Sequence, residues 1–534
     1  MTTHRLMSHP DPTNDALEQH TMSGPSPSER LSLETKTAPG PAPNGQGRGL
    51  FATTDLRVGD TLLHVQEPFV AVLDSKRLED TCSACFSQRQ LAASPDNGIT
   101  LKACTGCKVI RYCDKTCQAK DWKLAHSREC KIFKDLQPKV LPINARALLR
   151  VVLRARSRKN PYTQEELQLF QSLGTHIRDI REGNTAQWER ISLTSKAIKE
   201  YSKTEMEEED ISAYGAKLDL NSFNLTNSLY DRLGLYLHPY TALINHSCDY
   251  NAMVAFDGPQ LYIKAIRPIA KNDQIFVSYI DTTFPKRIRQ KEVRERYFFT
   301  CSCTKCTTPD PPTPTGDAAV TAQTTFNILE QGLGAEFQPG TDEDNNKRYA
   351  VIIQELISNS WPKTVQPFPA ILDEMITSDI GIGEYGHAFL NCALRFSRID
   401  PVVYPIEAHP LRLIHAFTFA KVCLHISQTD PELTLPEFVK GEYADFLGPG
   451  AVSVDYGLLG WTVLAELVSK EGSGGGGCMV PGFWAMTKRK FREVHGEFLR
   501  TGVDPREMGK EIRKEWVALG KVVGGLYRTV FHEE

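Results

Sequence analysis

Residues 82–130 read CSACFSQRQLAASPDNGITLKACTGCKVIRYCDKTCQAKDWKLAHSREC, a segment dense in cysteine. Its candidate metal ligands form two Cys-x-x-Cys pairs, one Cys-x-x-x-Cys pair and one His-x-x-x-Cys pair, namely Cys82, Cys85, Cys104, Cys107, Cys113, Cys117, His126 and Cys130. A short Cys-x-x-Cys turn presents two thiolates to one ion, and residues four apart share one face of a helix. Eight soft ligands complete two tetrahedral shells with no open position, so we predict two structural zinc ions.

The spacing leaves open which pairs share an ion. An interleaved arrangement, in which the first pair joins the third and the second joins the fourth, would lock the segment more firmly than two serial sites. So small a segment has little apolar material of its own, and we expect the metal to supply much of its folding energy. Disulfides are the alternative, but the N-terminus shows no secretory signal, and cysteines in a reducing compartment more often bind metal.

The bulk composition is that of a globular protein. The chain has 534 residues, 41% hydrophobic and 24% charged, with a formal net charge of -3. This length predicts two or more hydrophobic cores, and the near balance of charge argues against a protein that coats nucleic acid or an anionic membrane. No run approaches the roughly 20 apolar residues of a membrane-spanning helix. We therefore expect no membrane association, and a location in the nucleus, the cytoplasm or both.

The rest of the chain divides by pattern. Pro, Ser, Thr and Gly dominate the first 45 residues, and short alternating strands follow. Apolar residues three and four apart predict helices from Ile132 to about Ala216, strands return between Leu218 and Tyr279, and nearly everything after residue 318 has helical periodicity. The runs TTPDPPTPTGD and SGGGG (473–477) predict a linker and a flexible loop.

Several motifs occur in one order along the chain. They are Gly47-Arg48-Gly49-Leu50, Asn221-Ser222-Phe223, Asn245-His246-Ser247-Cys248, Ser278-Tyr279, and Tyr297-Phe298-Phe299 before Cys301-x-Cys303-x-x-Cys306. The cysteine-rich segment, with Tyr112 and Trp122, resembles a MYND zinc finger. The stretch from Gln46 to Cys306 as a whole resembles the SET and MYND domain (SMYD) family of protein lysine methyltransferases, whose SET domain is split by the finger.

The resemblance implies an α+β fold: a split SET-domain β-fold with an inserted MYND zinc finger and a helical insertion, followed by an all-α, tetratricopeptide-like C-terminal domain. A generic helical bundle is the alternative for that last part. The expected boundaries are 1–45 disordered N-terminal tail, 46–81 SET N-terminal part, 82–130 MYND finger, 131–217 helical insertion, 218–285 SET catalytic core, 286–306 post-SET zinc segment, 307–318 linker and 319–534 helical C-terminal domain.

The resemblance also implies functional residues. Tyr279 is the expected catalytic residue, whose hydroxyl orients the reacting centre. The expected contacts to S-adenosylmethionine are Gly47, Arg48, Gly49, Asn245, His246, Tyr279 and Phe299. The expected substrate channel consists of Asn221, Phe223, Tyr297 and Phe299. A third structural zinc is expected at Cys248, Cys301, Cys303 and Cys306, which leaves Cys392, Cys423 and Cys478 as buried small hydrophobes.

The family pattern has proline where this chain has Tyr250, and often Arg or Lys where it has Gln46. The implied partners are proteins with a target lysine, histone or non-histone, and proline-rich peptides at the finger; we expect a monomer. Eight Lys or Arg against three acids in residues 101–131 fit either a solvated basic face or a weak nucleic-acid contact. Two alternatives stay open: a MYND adaptor or transcriptional cofactor with an inactive SET domain, and methyl transfer to an acceptor other than lysine.

Overall fold

The computed structural model describes residues 33–43, 45–93, 98–158, 162–310, 322, 324, 342–429, 454–472 and 477–529. Most of the predicted tail, residues 311–318 of the predicted linker, residues 473–476 of the glycine run and the helix expected at FNILEQGL lie outside these ranges. No helix in the described ranges is both long and apolar enough to cross a membrane.

The strands of the described chain build several small sheets. They are β1 (Leu33–Thr35), β2 (Thr37–Pro41), β3 (Arg48–Ala52), β4 (Thr61–Val65), β5 (Val70–Leu73), β6 (Lys102–Ala103), β7 (Arg111–Tyr112), β8 (Phe223–Thr226), β9 (Arg232–Leu237), β10 (Asn245–His246), β11 (Ala252–Asp257), β12 (Gln260–Ala265) and β13 (Phe276–Val277). The orders are β1-β4-β12-β11, β5-β9-β8, β2-β3, β6-β7 and β10-β13, and only β10-β13 is parallel. Strands from before and after the insertions therefore pair with each other.

Residues 33–41 contain two strands, although the composition predicts a disordered tail over residues 1–45. Strand β1 pairs with β4, and β2 pairs with β3 in the register Thr37 opposite Ala52. The Tyr240 hydroxyl also donates to the Thr37 carbonyl at 3.0 Å. The disorder prediction was wrong here because it considered side-chain composition, whereas backbone pairing orders these residues and an edge strand tolerates proline.

The cysteine-rich segment (residues 82–130) contains the β6-β7 hairpin and short helical pieces. These are α1 (Gln88–Ala92), α2 (Lys115–Asp121), a π-helical turn (Trp122–His126) and α3 (Ser127–Asp135). Asp114 caps α2, because its carboxylate accepts from the Cys117 amide at 2.9 Å. The caps and turns bring the candidate metal ligands together at two places in the segment.

The predicted helical insertion is present. Its helices are α4 (Ile143–Ala155), α5 (Gln164–Gln171), α6 (Ile177–Gly183), α7 (Thr185–Ser202) and α8 (Glu208–Asn221). Helix α8 continues beyond the expected boundary at residue 217, so Asn221 lies at a helix end rather than in a strand. Ile211, Ala216 and Leu218 are buried on this helix, and their helical spacing outweighs the local alternation.

Two short helices and a large helical region complete the chain. Helices α9 (Lys286–Tyr297) and α10 (Thr304–Thr307) flank the last cysteine motif. The C-terminal helices are α11 (Asp342–Ser358), α12 (Phe368–Ile382), α13 (Tyr385–Leu394), α14 (Asp400–Val403), α15 (Pro410–Thr429), α16 (Tyr456–Gly472), α17 (Pro481–Arg500) and α18 (Gly509–Thr529). The prediction of a helical C-terminal region is confirmed.

One hydrophobic core lies in the N-terminal half, where the sheets, the cysteine-rich segment and the insertion meet. A second core lies among the C-terminal helices, and it includes Ala255 of β11 and Ile288 of α9. The Gly482 amide donates to the Asp257 carboxylate at 2.9 Å across the same boundary. The C-terminal helices are thus packed directly onto the β-fold. Cys392, Cys423 and Cys478 are buried, as predicted.

Candidate active site and metal centres

Three groups of four ligand atoms lie together, with all atoms of each group within 4.8 Å of one another. The first cluster is Cys82, Cys85, Cys113 and Cys117, the second is Cys104, Cys107, His126 and Cys130, and the third is Cys248, Cys301, Cys303 and Cys306. The cysteine-rich segment therefore has the interleaved arrangement, in which each cluster joins an early pair to a late one. All twelve predicted ligands fall into these groups.

The donor spacing fits a tetrahedral metal ion. With zinc–sulfur bonds of about 2.3 Å, neighbouring sulfurs of a tetrahedron lie about 3.8 Å apart. The Sγ atoms of Cys85 and Cys113 are 3.6 Å apart, and those of Cys104 and Cys130 are 3.8 Å apart. In the third cluster the Sγ atoms of Cys248 and Cys306 are 3.6 Å apart. The first and third clusters offer four thiolates each, and the second offers three thiolates and the imidazole of His126. Donors of these kinds at this spacing suit Zn²⁺.

Buried charges surround the second cluster. Arg150 of α4 donates to both oxygens of Glu129, at 2.7 and 2.8 Å, and to the Ala71 carbonyl of β5 at 2.8 Å. Glu129 lies 3.8 Å from Nδ1 of the ligand His126. Burial is the largest influence and would raise the pKa of Glu129, but the charge and hydrogen bonds of Arg150 together with the contact to His126 outweigh burial and lower the pKa to about 2. Arg150 thus connects a metal cluster, a helix and a strand.

The third cluster joins the loop after β10 to the chain beyond α9. The side-chain amide of Gln290 donates to the Cys301 carbonyl at 2.6 Å and accepts from the Cys301 amide at 3.2 Å. The buried Arg289 donates to the Lys305 carbonyl at 3.3 Å. Helix α9 therefore orients the cysteine motif that follows it, and the motif returns to Cys248.

The parallel pair β10-β13 positions Tyr279. The Tyr279 amide donates to Nδ1 of His246 at 3.0 Å, and its hydroxyl donates to the Ile244 carbonyl at 2.5 Å. The ring centroid of Tyr279 lies 5.0 Å from that of Tyr297 and 5.3 Å from that of His246, and the ring of Phe299 lies 5.8 Å from His246. We call these four residues, His246, Tyr279, Tyr297 and Phe299, the aromatic cleft. Burial raises the pKa of Tyr279, so its hydroxyl stays protonated.

His246 makes contacts within the protein through both ring nitrogens. Since Nδ1 accepts from the Tyr279 amide, the neutral ring carries its proton on Nε2, which faces Sγ of Cys248 at 3.3 Å. The imidazole thus connects the third cluster to the strand that carries Tyr279. Because both ring nitrogens are occupied, His246 could contact a cofactor only through its backbone or the face of its ring.

The predicted glycine motif lies beside this cleft. Gly47 has a φ of +72°, which a side chain would strain, and no atom lies within 4 Å of the place of its missing Cβ. At Gly49 the corresponding place is crowded by the amide of Gln274 and lies 3.1 Å from Nδ2 of Asn245. Asn245 donates to the Arg48 carbonyl at 3.2 Å. Gly47, Arg48, Gly49 and Asn245 are therefore brought together.

The predicted channel residues separate into two environments. Phe223 and Tyr297 line one cavity of about 550 Å³ between the helical insertion, β8, β9 and the end of α9. Phe299 packs against His246 and the third cluster instead. Asn221 turns its amide to the Lys217 carbonyl at 2.8 Å, within its own helix. Of the four, Phe223 and Tyr297 face an open space together.

Sequence reasoning missed residues that complete this region. Gln274 is buried, and neither its amide nitrogen nor its oxygen has a hydrogen-bond partner. The loop after α5 also reaches the site: Ser172 accepts from Arg48 at 2.6 Å, and the ring of His176 stacks on Phe298 with centroids 5.2 Å apart. Proximity of Gln274 to Tyr279 in the chain was an available signal. Nothing in the helical periodicity marked Ser172 or His176.

The chain is similar to known proteins over part of its length. Residues 47–280 match the family model of the SET domain. The SET domain and MYND-type zinc finger protein 6 of Schizosaccharomyces pombe is 32% identical over 261 residues, which cover 49% of this chain and 50% of that relative. The histone-lysine N-methyltransferase SMYD3 of Mus musculus is 28% identical over 394 residues, covering 71% of this chain and 86% of that relative. The human SMYD3 is 30% identical over 272 residues, covering 50% and 60%.

The chain thus spans about half the length of the first of these relatives. Among solved structures, the SET domain of LSMT bound to lysine and AdoHcy aligns over 87% of this chain and 88% of its own, with 12% identity and a TM-score of 0.27, too low to support an argument. The matched range contains Gly47, Arg48 and Gly49 of the glycine motif, Asn245 and Tyr279. Residues 47–280 of this chain therefore form a SET domain, and the chain is similar to the SMYD relatives named above.

Proposed function

We propose that the protein is an S-adenosylmethionine-dependent protein-lysine N-methyltransferase that acts on histone or non-histone proteins. The observation that carries the proposal is the aromatic cleft, in which a buried tyrosine hydroxyl is fixed at the Ile244 carbonyl beside the Gly47–Gly49 strand. Relatives named as histone-lysine and lysine methyltransferases support the same reaction class.

The residues beside the cleft suit a nucleoside with an amino-acid tail. Gly47 leaves open space next to the main chain, and Asn245 places its amide beside the neighbouring Arg48 carbonyl and Gly49. The buried amide of Gln274 lacks a partner in the protein, and such a group gains stability when a polar ligand supplies one. We assign the cofactor to Gly47, Arg48, Gly49, Asn245, His246 and Phe299, with Gln274 added.

The reaction needs a neutral lysine amine in line with an electrophilic methyl group, which bound S-adenosylmethionine supplies as a sulfonium. Because the Tyr279 proton is donated to Ile244, the lone pairs of its hydroxyl oxygen are free to accept from an amine N–H. The rings of Tyr297 and Phe299 exclude water and favour loss of the ammonium charge. Their faces also attract the cationic methylated product. Phe223 and Tyr297 line the cavity that we assign to the arriving side chain.

We assign structural Zn²⁺ to each of the three clusters. Each donor set supplies four ligands, so no position is left for water or substrate, and the ions stabilise the fold rather than take part in the reaction. We further propose that the cysteine-rich segment is a MYND finger that binds proline-rich peptides, with at most a weak nucleic-acid contact through its basic residues. The proposed protein is monomeric and works in the nucleus, the cytoplasm or both.

The direct test is labelling of proteins in a cell extract by the purified chain and radioactive S-adenosylmethionine, followed by identification of the modified residues. We expect methylated lysine. Tyr279→Phe should lower the rate about 10- to 100-fold, since a hydrogen bond to a charged or developing charge is worth about 1.5–3 kcal/mol. Methyl groups on another residue type would contradict the proposed acceptor.

A matched control is Tyr230→Phe, because the Tyr230 hydroxyl donates to the Val254 carbonyl at 3.0 Å outside the cleft. We expect this variant to keep the labelling rate of the wild type. If no labelling occurs, and partner binding survives Tyr279→Phe but fails in Cys104→Ser, the adaptor alternative is favoured instead.

A further inference from the structure

His409 lies at the start of α15 in a fixed orientation. Its carbonyl accepts from the Leu413 amide at 3.2 Å, and Nδ1 of its ring accepts from the Leu411 amide at 3.3 Å, so His409 caps the helix. The ring of Tyr404 stacks on it with centroids 4.5 Å apart. Only 3% of His409 is exposed. The imidazole is thus held on one face and at one nitrogen by the C-terminal helices.

The other ring nitrogen reaches the β-fold. Nε2 of His409 lies 3.0 Å from the hydroxyl oxygen of Tyr250. Since Nδ1 accepts, the neutral imidazole has its proton on Nε2 and donates it to Tyr250. Burial keeps the ring neutral and lowers the pKa of His409 to about 3.

Tyr250 is followed by a residue that positions the catalytic strand. Asn251 accepts from the Phe276 amide at 2.8 Å through its side-chain oxygen, and its side-chain nitrogen donates to the Gln274 carbonyl at 2.9 Å. These two bonds fix the chain at β13, immediately before Tyr279. A continuous path of contacts therefore runs from the cap of α15 through Tyr250 and Asn251 to the aromatic cleft.

We propose that His409 is a positioning residue for the methyl-transfer site: its hydrogen bond to Tyr250 holds the loop after Cys248, and through Asn251 it holds the strand that leads to Tyr279. The inference rests on the proposed function for its catalytic consequence. The C-terminal helices thereby contribute to the order of the cleft.

Two substitutions of His409 separate its two contacts. His409→Asn keeps an acceptor for the Leu411 amide but is too short to reach Tyr250. His409→Gln carries its amide nitrogen about as far out as Nε2, so it keeps the bond to Tyr250 and weakens the cap. Hydrogen exchange of the amides of residues 275–279, measured on the full metal-loaded chain, reports the order of the strand.

We expect His409→Asn and Tyr250→Phe each to speed this exchange about five-fold, the equivalent of one neutral hydrogen bond. Combining the two should add nothing further, because both remove the same bond. His409→Gln should exchange like the wild type. Tyr162→Phe is the matched control, because it deletes a buried hydroxyl that donates to the Phe69 carbonyl at 3.0 Å, away from this path.

The proposal is overturned if exchange of residues 275–279 is unchanged in His409→Asn and Tyr250→Phe. It is also overturned if the Asn and Gln variants behave alike, which would mean that His409 serves only as a helix cap. The rate of methyl transfer per folded molecule should be lowest in the variants whose amides exchange fastest. If the wild type transfers no methyl group, the proposed function fails, and the exchange data still decide whether His409 orders the strand.

Discussion

The hydroxyl of Tyr279 donates to a backbone carbonyl of its own domain, so its role in the proposed reaction is that of a fixed acceptor. A general base would need a hydroxyl that ionises readily. Burial raises the pKa of Tyr279 instead, and the neighbouring Tyr297 raises it further. The proton on the substrate amine must therefore leave to solvent before methyl transfer, and the pH dependence should show it.

We expect kcat/KM for methyl transfer to rise about ten-fold per pH unit from pH 7 to 9. A free lysine has a pKa of about 10.4, so its neutral fraction grows by that factor below the pKa. Tyr279 does not ionise in this range, because its pKa is shifted upward, and it should cause no decline. Initial rates at saturating S-adenosylmethionine would measure the profile, and a flat one would contradict this account.

At the residue scale, the sequence was most informative about cysteines and Tyr279. Metal ligands have strict spacing, and all twelve predicted ligands lie in the three clusters. Asn251 escaped prediction because hydrogen bonds to a strand that is distant in the sequence leave no periodic pattern. His246 carried a recognisable motif, but only the structure reveals that both its ring nitrogens contact protein groups.

Among the elements, β3 is the one on which the proposed cofactor side of the site depends. It passes so close to Asn245 and Gln274 that position 49 has no room for a side chain. The glycine motif of the sequence lies at the start of this strand. Glycine is needed at position 49 because the strand packs closely against protein groups, and at position 47 because the backbone is left-handed.

Gly49→Ala should weaken binding of S-adenosylhomocysteine about ten-fold, as measured by calorimetry. The added methyl group overlaps the Gln274 amide, and overpacking of this kind displaces neighbours at a cost of about 1–3 kcal/mol. Adding Gln274→Ala should relieve the overlap at position 49. Gly98→Ala provides the control, since no atom lies within 4 Å of its added methyl. Unchanged affinity in Gly49→Ala would contradict this placement of β3.

The element boundaries were less predictable than the motifs. Strands β1 and β2 formed within a segment expected to be disordered, since their stability comes from pairing with β4 and β3 rather than from their own side chains. Helix α8 extended past residue 217 because its buried face continues into Leu218. Both differences arise from partners that are distant in sequence.

On the scale of the whole molecule, the helical insertion, the cysteine-rich segment and the β-fold are joined by buried polar groups. Arg150 of the insertion contacts the other two, the cysteine-rich segment through Glu129 and Asp121 and the β-fold through the Ala71 carbonyl. A helical pattern in LLRVVLRARSR identified the helix but not this role, because a solvated basic face has the same composition. Packing of the C-terminal helices onto β11 and α9 was likewise invisible in the sequence.

Arg150→Met should lower the free energy of unfolding by about 3–5 kcal/mol, because it leaves two buried carboxylates without their cation. Chemical denaturation of the metal-loaded chain would measure the loss. Arg506→Met, which breaks the exposed pair with Asp504, should change stability little. Equal effects of the two substitutions would argue against the connecting role of Arg150.

The pairing of β5 with β9 has a consequence for biosynthesis. Strand β5 ends at Leu73, and its partner begins at Arg232. At about 5–20 residues per second, a ribosome needs roughly 10–30 seconds to deliver that partner. Throughout this interval the wholly apolar strand VAVL has no sheet to join. Nascent chains of this protein should therefore depend on chaperones that cover such strands until the second half of the β-fold emerges.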